Sequence, residues 1–155
     1  MMKPKSTRIA LFLPSLRGGG AERVMVTLAN GFTRQDLAVD LVVADARGSY
    51  KGHVAPSVRL IDLKASRVLF SLPALTRYIR REQPEVLLSA LNYANIIALW
   101  ARYLAQKQTR IVISERNTLS ANQSMAQPGR VRLLPWLMQK NYRYADGVIA
   151  VSEGV

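Results

Sequence analysis

Short apolar runs of strand length alternate along this chain with stretches in which apolar residues return every three or four positions. The run RIALFL at 8–13 is closed by Pro14 and the turn-rich SLRGGG, as expected of a strand buried on both faces. From there, Ala21, Val24, Met25, Leu28, Ala29 and Phe32 form the stripe of an amphipathic helix. VDLVVA at 39–44 predicts a second strand, 45–57 a polar loop and 58–63 a third strand. Leu72, Leu75 and Ile79 share a helical face that stops before Pro84, and 86–90 is again strand-like. Ala94, Ile97, Ala98, Ala101 and Leu104 mark another helix, and 111–114 the next strand. A polar loop at 115–129, a basic and aromatic helix within 130–144 that Pro135 starts or kinks, and a strand at 148–151 complete the pattern.

Strands alternating with helices imply right-handed crossovers, hence an α/β, doubly wound, mostly parallel sheet with helices on both faces. If the strand order is the common 3-2-1-4-5-6, the sheet reverses between its first and fourth strands, where ligands bind outside the carboxyl ends. Two segments then share one crevice, 17–20 and 91–95.

Composition narrows the picture less. The 155 residues fit one domain with a sizeable core, and with no cysteine no disulfide staples it. No apolar stretch approaches the roughly 18 residues that span a bilayer, so any membrane contact is expected to be peripheral. The 22 Lys and Arg against 10 Asp and Glu give a net charge of +12, which attracts polyanions. The basic residues are scattered, without the long run of a phosphate-tracking arm, so no specific nucleic-acid partner is expected.

Gly18, Gly19 and Gly20 stand between a strand and a helix N-terminus, where bare backbone and the helix dipole suit a phosphate. The dinucleotide fingerprint would need a third glycine where Arg23 stands, and no Walker Gly-Lys-Ser/Thr occurs. The loop reads either as an anion site or as a turn that needs positive φ, and Glu22 in the first helical turn gains from the dipole in either case. Asn92, Tyr93 and Asn95 suit sugar hydroxyls, because amides both donate and accept, or they cap a helix. Glu115 and Asn117, beyond the fifth strand, face the same sheet edge, or are solvated loop residues. The only histidine, His53, sits in the polar loop as a solvated residue. The segment at 130–144, with Trp136, Leu137 and Met138 among Arg130, Arg132, Lys140 and Arg143, has the composition of an interfacial helix or of a packed helix with a basic outer face; 64–72, around Val68, Leu69 and Phe70, is a second such candidate.

The strand followed by GGGAERV, then VMVTLANGF, LNYANIIALWA, IVISERN and ADGVIAVSEGV, in this order and spacing, closely resemble the N-terminal domain of family-four glycosyltransferases, most of all members that build bacterial surface polysaccharides or lipid-linked glycans. The resemblance implies a GT-B enzyme with two Rossmann-like domains facing a cleft, retaining transfer, no bound metal and no cofactor. A nucleotide-diphosphate sugar is the implied donor and a glycan or lipid-linked molecule the implied acceptor. By this resemblance Gly18, Gly19 and Gly20 lie near the donor diphosphate. Asn92, Tyr93, Asn95 and Asn117 are the acceptor-binding candidates, and Glu115 and Arg116 the catalytic ones. Relatives often carry Ser-Glu-His where this chain has Ser114, Glu115, Arg116; an arginine stays protonated and clamps anions instead of acting as a base. Residues 1–155 are thus expected to be a single acceptor-side domain, cut before the donor-binding C-terminal domain with its paired glutamates and inactive without it. The expected location is cytoplasmic, peripheral on the inner face of an anionic membrane. A sugar-nucleotide epimerase of the same architecture, or a non-catalytic nucleotide-binding module, are the alternatives.

Overall fold

The computed structural model describes residues 7–115 and 133–150. Six parallel strands form one sheet: β1 (Arg8–Ser15), β2 (Ala38–Asp45), β3 (Arg59–Asp62), β4 (Val86–Ala90), β5 (Arg110–Glu115) and β6 (Gly147–Ala150). Their order is β3-β2-β1-β4-β5-β6, the order expected for a doubly wound sheet. Helices α1 (Gly20–Thr33), α2 (Leu72–Glu82), α3 (Asn92–Ala105) and α4 (Leu133–Tyr142) accompany it.

The central strands are apolar at consecutive positions because both faces are covered. On one face Met25, Val26 and Ala29 of α1 pack on Leu11, Leu13, Leu41 and Val43. On the other, Leu75 and Ile79 of α2 and Ala94 and Ile97 of α3 pack on Ala10, Phe12, Val42, Ile111 and Ile113, with Tyr142 of α4 at the margin. Each Val, Leu, Ile, Phe or Met side chain among these, taken fully out of water, contributes on the order of 1.5–3 kcal/mol.

The structure departs from the sequence pattern where packing overrides periodicity. Strand β1 runs through Pro14 to Ser15, because its ladder with β4 ends at Phe12↔Ser89, so the missing proline N–H costs no bond there. In α1 the buried stripe is rotated: Val26 is buried and Leu28 is exposed. At the end of α3, Ala105 is buried while Leu104 is exposed. The polar loop at 45–57 contains a 3-10 turn, Ser49–His53. Helix α2 ends on Gln83 in the left-handed conformation, and Pro84 prevents its continuation. Pro135 lies in the first turn of α4, where a missing N–H goes unmissed.

At the amino edge of the sheet a buried carboxylate ties four elements together. Asp40 of β2, fully buried, accepts from Arg8 Nη1 (2.7 Å), Arg59 Nε and Nη2 (2.9 and 2.7 Å) and Tyr78 Oη (2.7 Å). Arg59 also donates to Glu82 at 2.9 Å. The hydrogen bonds Arg59 donates to Asp40 and Glu82 raise it above its ordinary pKa, and burial raises Tyr78. This edge is the far side of the sheet from the strand ends that carry the candidate site.

Candidate functional site

The glycine loop connects β1 to α1 at the carboxyl edge. Leu16 is buried and anchors it, while Arg17, Gly18, Gly19 and Gly20 are exposed. Gly18 has φ +104°, so a turn that disfavours side chains is part of the loop's design. A second glycine braces it from the β2–β3 connection. Gly48, at φ +147°, comes so close that a Cβ there would lie 2.0 Å from the Leu16 carbonyl oxygen, and Tyr50 N donates to that oxygen at 3.0 Å. Asp45, at the end of β2, is held by Arg47 (Nη2 at 2.6 Å) and Arg17 (Nη2 at 3.2 Å). The Arg47 hydrogen bonds keep its carboxyl well below the usual carboxylate range.

Helix α1 starts on Gly19 without a side-chain cap, and a Cβ at Gly20 would meet nothing within 4 Å. No cap side chain accepts from its first N–H groups among the described residues, the condition for receiving an anion. Glu22 has folded back over Gly19, its Oε2 only 2.2 Å from where a Gly19 Cβ would sit. The carboxylate takes the favourable position beside the helix N-terminus that an incoming phosphate would contest.

β4 lies beside β1 in the sheet, and α1 and α3 leave on opposite faces, so the loops after β1 and β4 border one crevice at the switch point. Leu91, between β4 and α3, adopts φ +79°, a strained conformation for a leucine of the kind that clusters at functional sites. Asn92 and Asn95 follow on one face of α3, 7% and 0% exposed; Tyr93 points outward and is half exposed. Asn92 is the first residue of the helix, after the cap residue Leu91, and its Oδ1 has no hydrogen-bond partner among the described residues, so capping does not account for it. Asn95 Nδ2 donates to the Ser114 carbonyl (3.3 Å) and to Tyr142 Oη (3.2 Å), and Tyr142 Oη donates to Glu115 Oε2 (2.7 Å). Glu115 is 5% exposed, and burial raises its carboxyl above the ordinary value against the opposing bond from Tyr142.

Of the residues singled out in the sequence, Asn95 and Glu115 are joined through Tyr142, Asn92 lies one turn from Asn95 on the buried side of α3, Gly18, Gly19 and Gly20 lie at the neighbouring strand end, and Tyr93 is half exposed. Arg116 and Asn117 lie outside the described residues, as do Arg130 and Arg132. His53 is exposed, its ring edge-on to Tyr50. Two members were not foreseen. Ser89, in the apolar run of β4, and Tyr142, on α4, complete the polar group; a lone hydroxyl inside an otherwise apolar buried strand was the available signal. Among the described residues no cluster of three His, Cys, Asp or Glu could hold a metal.

The family model for Glycosyltransferase Family 4 matches residues 18–155. The chain belongs to glycosyltransferase family 4. This family-four domain also resembles solved structures at low identity, which speaks for shared fold alone. Over 95% of its length it matches the lipopolysaccharide outer core galactosyltransferase WaaB in its apo form (TM-score 0.67, 13% identity, 40% of that chain). Sucrose-phosphate synthase from Thermosynechococcus elongatus matches 92% of it (TM-score 0.71, 14% identity, 41% of that chain). MurG from Acinetobacter baumannii matches 96% (TM-score 0.63, 14% identity, 43% of that chain). The family-four domain thus spans less than half the length of each of these proteins. No curated protein sequence matches it.

Proposed function

We propose that the chain is the acceptor-side domain of a retaining glycosyltransferase of the hexosyl-transferring kind, working in polysaccharide biosynthesis. Its donor is a nucleoside-diphosphate sugar held by a second domain across the crevice, and its acceptor is a glycan or lipid-linked molecule. The observation that carries the reading is the meeting, at one sheet edge, of an uncapped helix N-terminus and a group of buried hydrogen-bonding side chains. In transfer, the acceptor oxygen replaces a phosphate oxygen on the anomeric carbon and the diphosphate departs with its negative charge. N–H groups fixed at the start of α1 suit that charge without reorganising, and Asn92 and Asn95 suit the acceptor's hydroxyls.

Transfer on this reading needs both domains. Supplied with UDP-glucose or UDP-galactose and a lipid extract, the chain alone is expected to move no sugar; robust turnover by it alone contradicts the reading.

The reading also places the domain on the inner face of the cytoplasmic membrane. Leu69 and Phe70, on the 3-10 turn Val68–Ser71, are 56% and 62% exposed beside the exposed Lys64 and Arg67. Trp136 is half exposed, with Lys140 Nζ 4.4 Å from its ring centroid. Apolar tips flanked by lysine and arginine favour an anionic lipid surface. No helix among the described residues is long and apolar enough to cross a membrane. Flotation with phosphatidylglycerol vesicles is expected, lost on adding salt and weakened by Phe70→Ser; salt-insensitive flotation, or none, counts against it.

A further inference from the structure

The hydrogen-bonding polarity of the buried group at the ends of β4 and β5 restricts what it can hold. Ser89 is in register with Phe12 and Ile113, whose side chains lie beneath α2 and α3. Glu115 stands two residues beyond Ile113 and so projects from the same face. Asn92 and Asn95, one helical turn apart, come down on them from α3. Four atoms here are buried without a hydrogen-bond partner among the described residues: Ser89 Oγ, Asn92 Oδ1, Asn95 Oδ1 and Glu115 Oε1. Leaving such atoms unsatisfied is costly, of order 1–3 kcal/mol apiece.

Two of the four have a fixed sense. Asn95 cannot be turned over, because its Nδ2 donates to the Ser114 carbonyl, which can only accept. Its Oδ1 is therefore an acceptor. Glu115 Oε2 is taken by Tyr142, which leaves Oε1 as an acceptor when the carboxyl is ionised. We propose that this group of buried, unpartnered polar atoms forms the floor of an acceptor-sugar subsite that captures its ligand by the ligand's own hydrogen-bond donors, favouring a neutral or amino sugar over an acidic one, with Tyr142 as the positioning residue that orients Glu115. The proposal rests on the acceptor-side reading above and adds the chemical class of the acceptor. It runs against the background field of the protein, whose net charge of +12 draws anions everywhere else. A preference for an amino sugar therefore cannot come from overall charge.

The test is a nuclear magnetic resonance titration of the chain with glucosamine, glucose and glucuronate, following the side-chain amides of Asn92 and Asn95, with inorganic pyrophosphate in parallel as a control read at Gly18, Gly19 and Gly20. Saturable shifts with glucosamine and glucose, at least tenfold weaker with glucuronate, are expected. Glu115→Gln is expected to cut the preference for glucosamine over glucuronate about tenfold, the worth of one charge-assisted hydrogen bond. Tyr142→Phe, which keeps the ring packing, is expected to reduce glucosamine affinity severalfold while the amide spectrum stays dispersed; a merely structural tyrosine would leave the affinity and the preference unchanged. Glucuronate binding as well as glucosamine, or a preference indifferent to both substitutions, overturns the proposal. Should no sugar move the amides while pyrophosphate still moves the glycines, the subsite falls and the acceptor-side reading stands; if neither ligand acts, both fall.

Discussion

Glu115 has given up most of its water for a single bond from Tyr142. Burial raises its carboxyl above the ordinary value, so the folded protein binds a proton there more tightly than the unfolded chain does. Stability from this group is complete below the ordinary carboxylate value and is lost as pH rises through the raised one. Glu115→Gln should therefore raise the denaturant midpoint at neutral pH, with the gain vanishing toward pH 4; a loss of stability at neutral pH would contradict the assignment. Two glycines make a matched pair. Gly48→Ala drives a Cβ into the Leu16 carbonyl at a backbone angle that side chains avoid, and should cost about 1–3 kcal/mol in chemical denaturation. Gly20→Ala meets nothing and should leave stability within about 0.5 kcal/mol of the parent. Glu22 lies against Gly19 at the opening of α1, so Glu22→Gln should tighten pyrophosphate binding, measured by calorimetry; unchanged affinity would mean the carboxylate does not contest the site.

Between elements, what the sequence disclosed followed from burial. Strands covered on both faces must be apolar at every position, so RIALFL and VDLVVA announced β1 and β2 within two residues of their ends. Side chains meeting from distant segments left no such trace. Asp40 interrupts the apolar run of β2, and a charge inside a buried strand demands partners, but Arg8, Arg59 and Tyr78 lie up to 38 residues away. Tyr142 reaches Glu115 across 27 residues from a helix whose composition suggested a membrane surface. The same gap hid Gly48, whose close approach to Leu16 exists only once the β2–β3 connection folds over the glycine loop. The Asp40 assembly joins β1, β2, β3 and α2, and removing its acceptor takes the partner from Tyr78 and Arg8 and leaves Arg59 with Glu82 alone. Asp40→Ala should cost about 3–5 kcal/mol, and Tyr78→Phe about 1 kcal/mol, in urea unfolding. Comparable small losses for the two would show that the carboxylate is not the keystone.

For the molecule as a whole, the sheet has two edges of opposite character. The amino edge carries arginines already engaged by Asp40 and Glu82, beside a cavity of about 340 Å³ lined by Arg59, Arg77 and Arg81. The carboxyl edge carries a helix N-terminus without a side-chain cap and, buried beneath α3, acceptors without partners among the described residues. A net charge of +12 alone would send a nucleotide to the arginines; the proposed function sends it to the glycines. Amide chemical-shift mapping of the chain titrated with UDP distinguishes the two. Perturbations centred on Gly18, Gly19, Gly20 and Ala21 and reaching Leu91 and Asn92 are the predicted result; perturbations centred on Arg59, Arg77 and Arg81, with the glycine loop silent, would contradict the account.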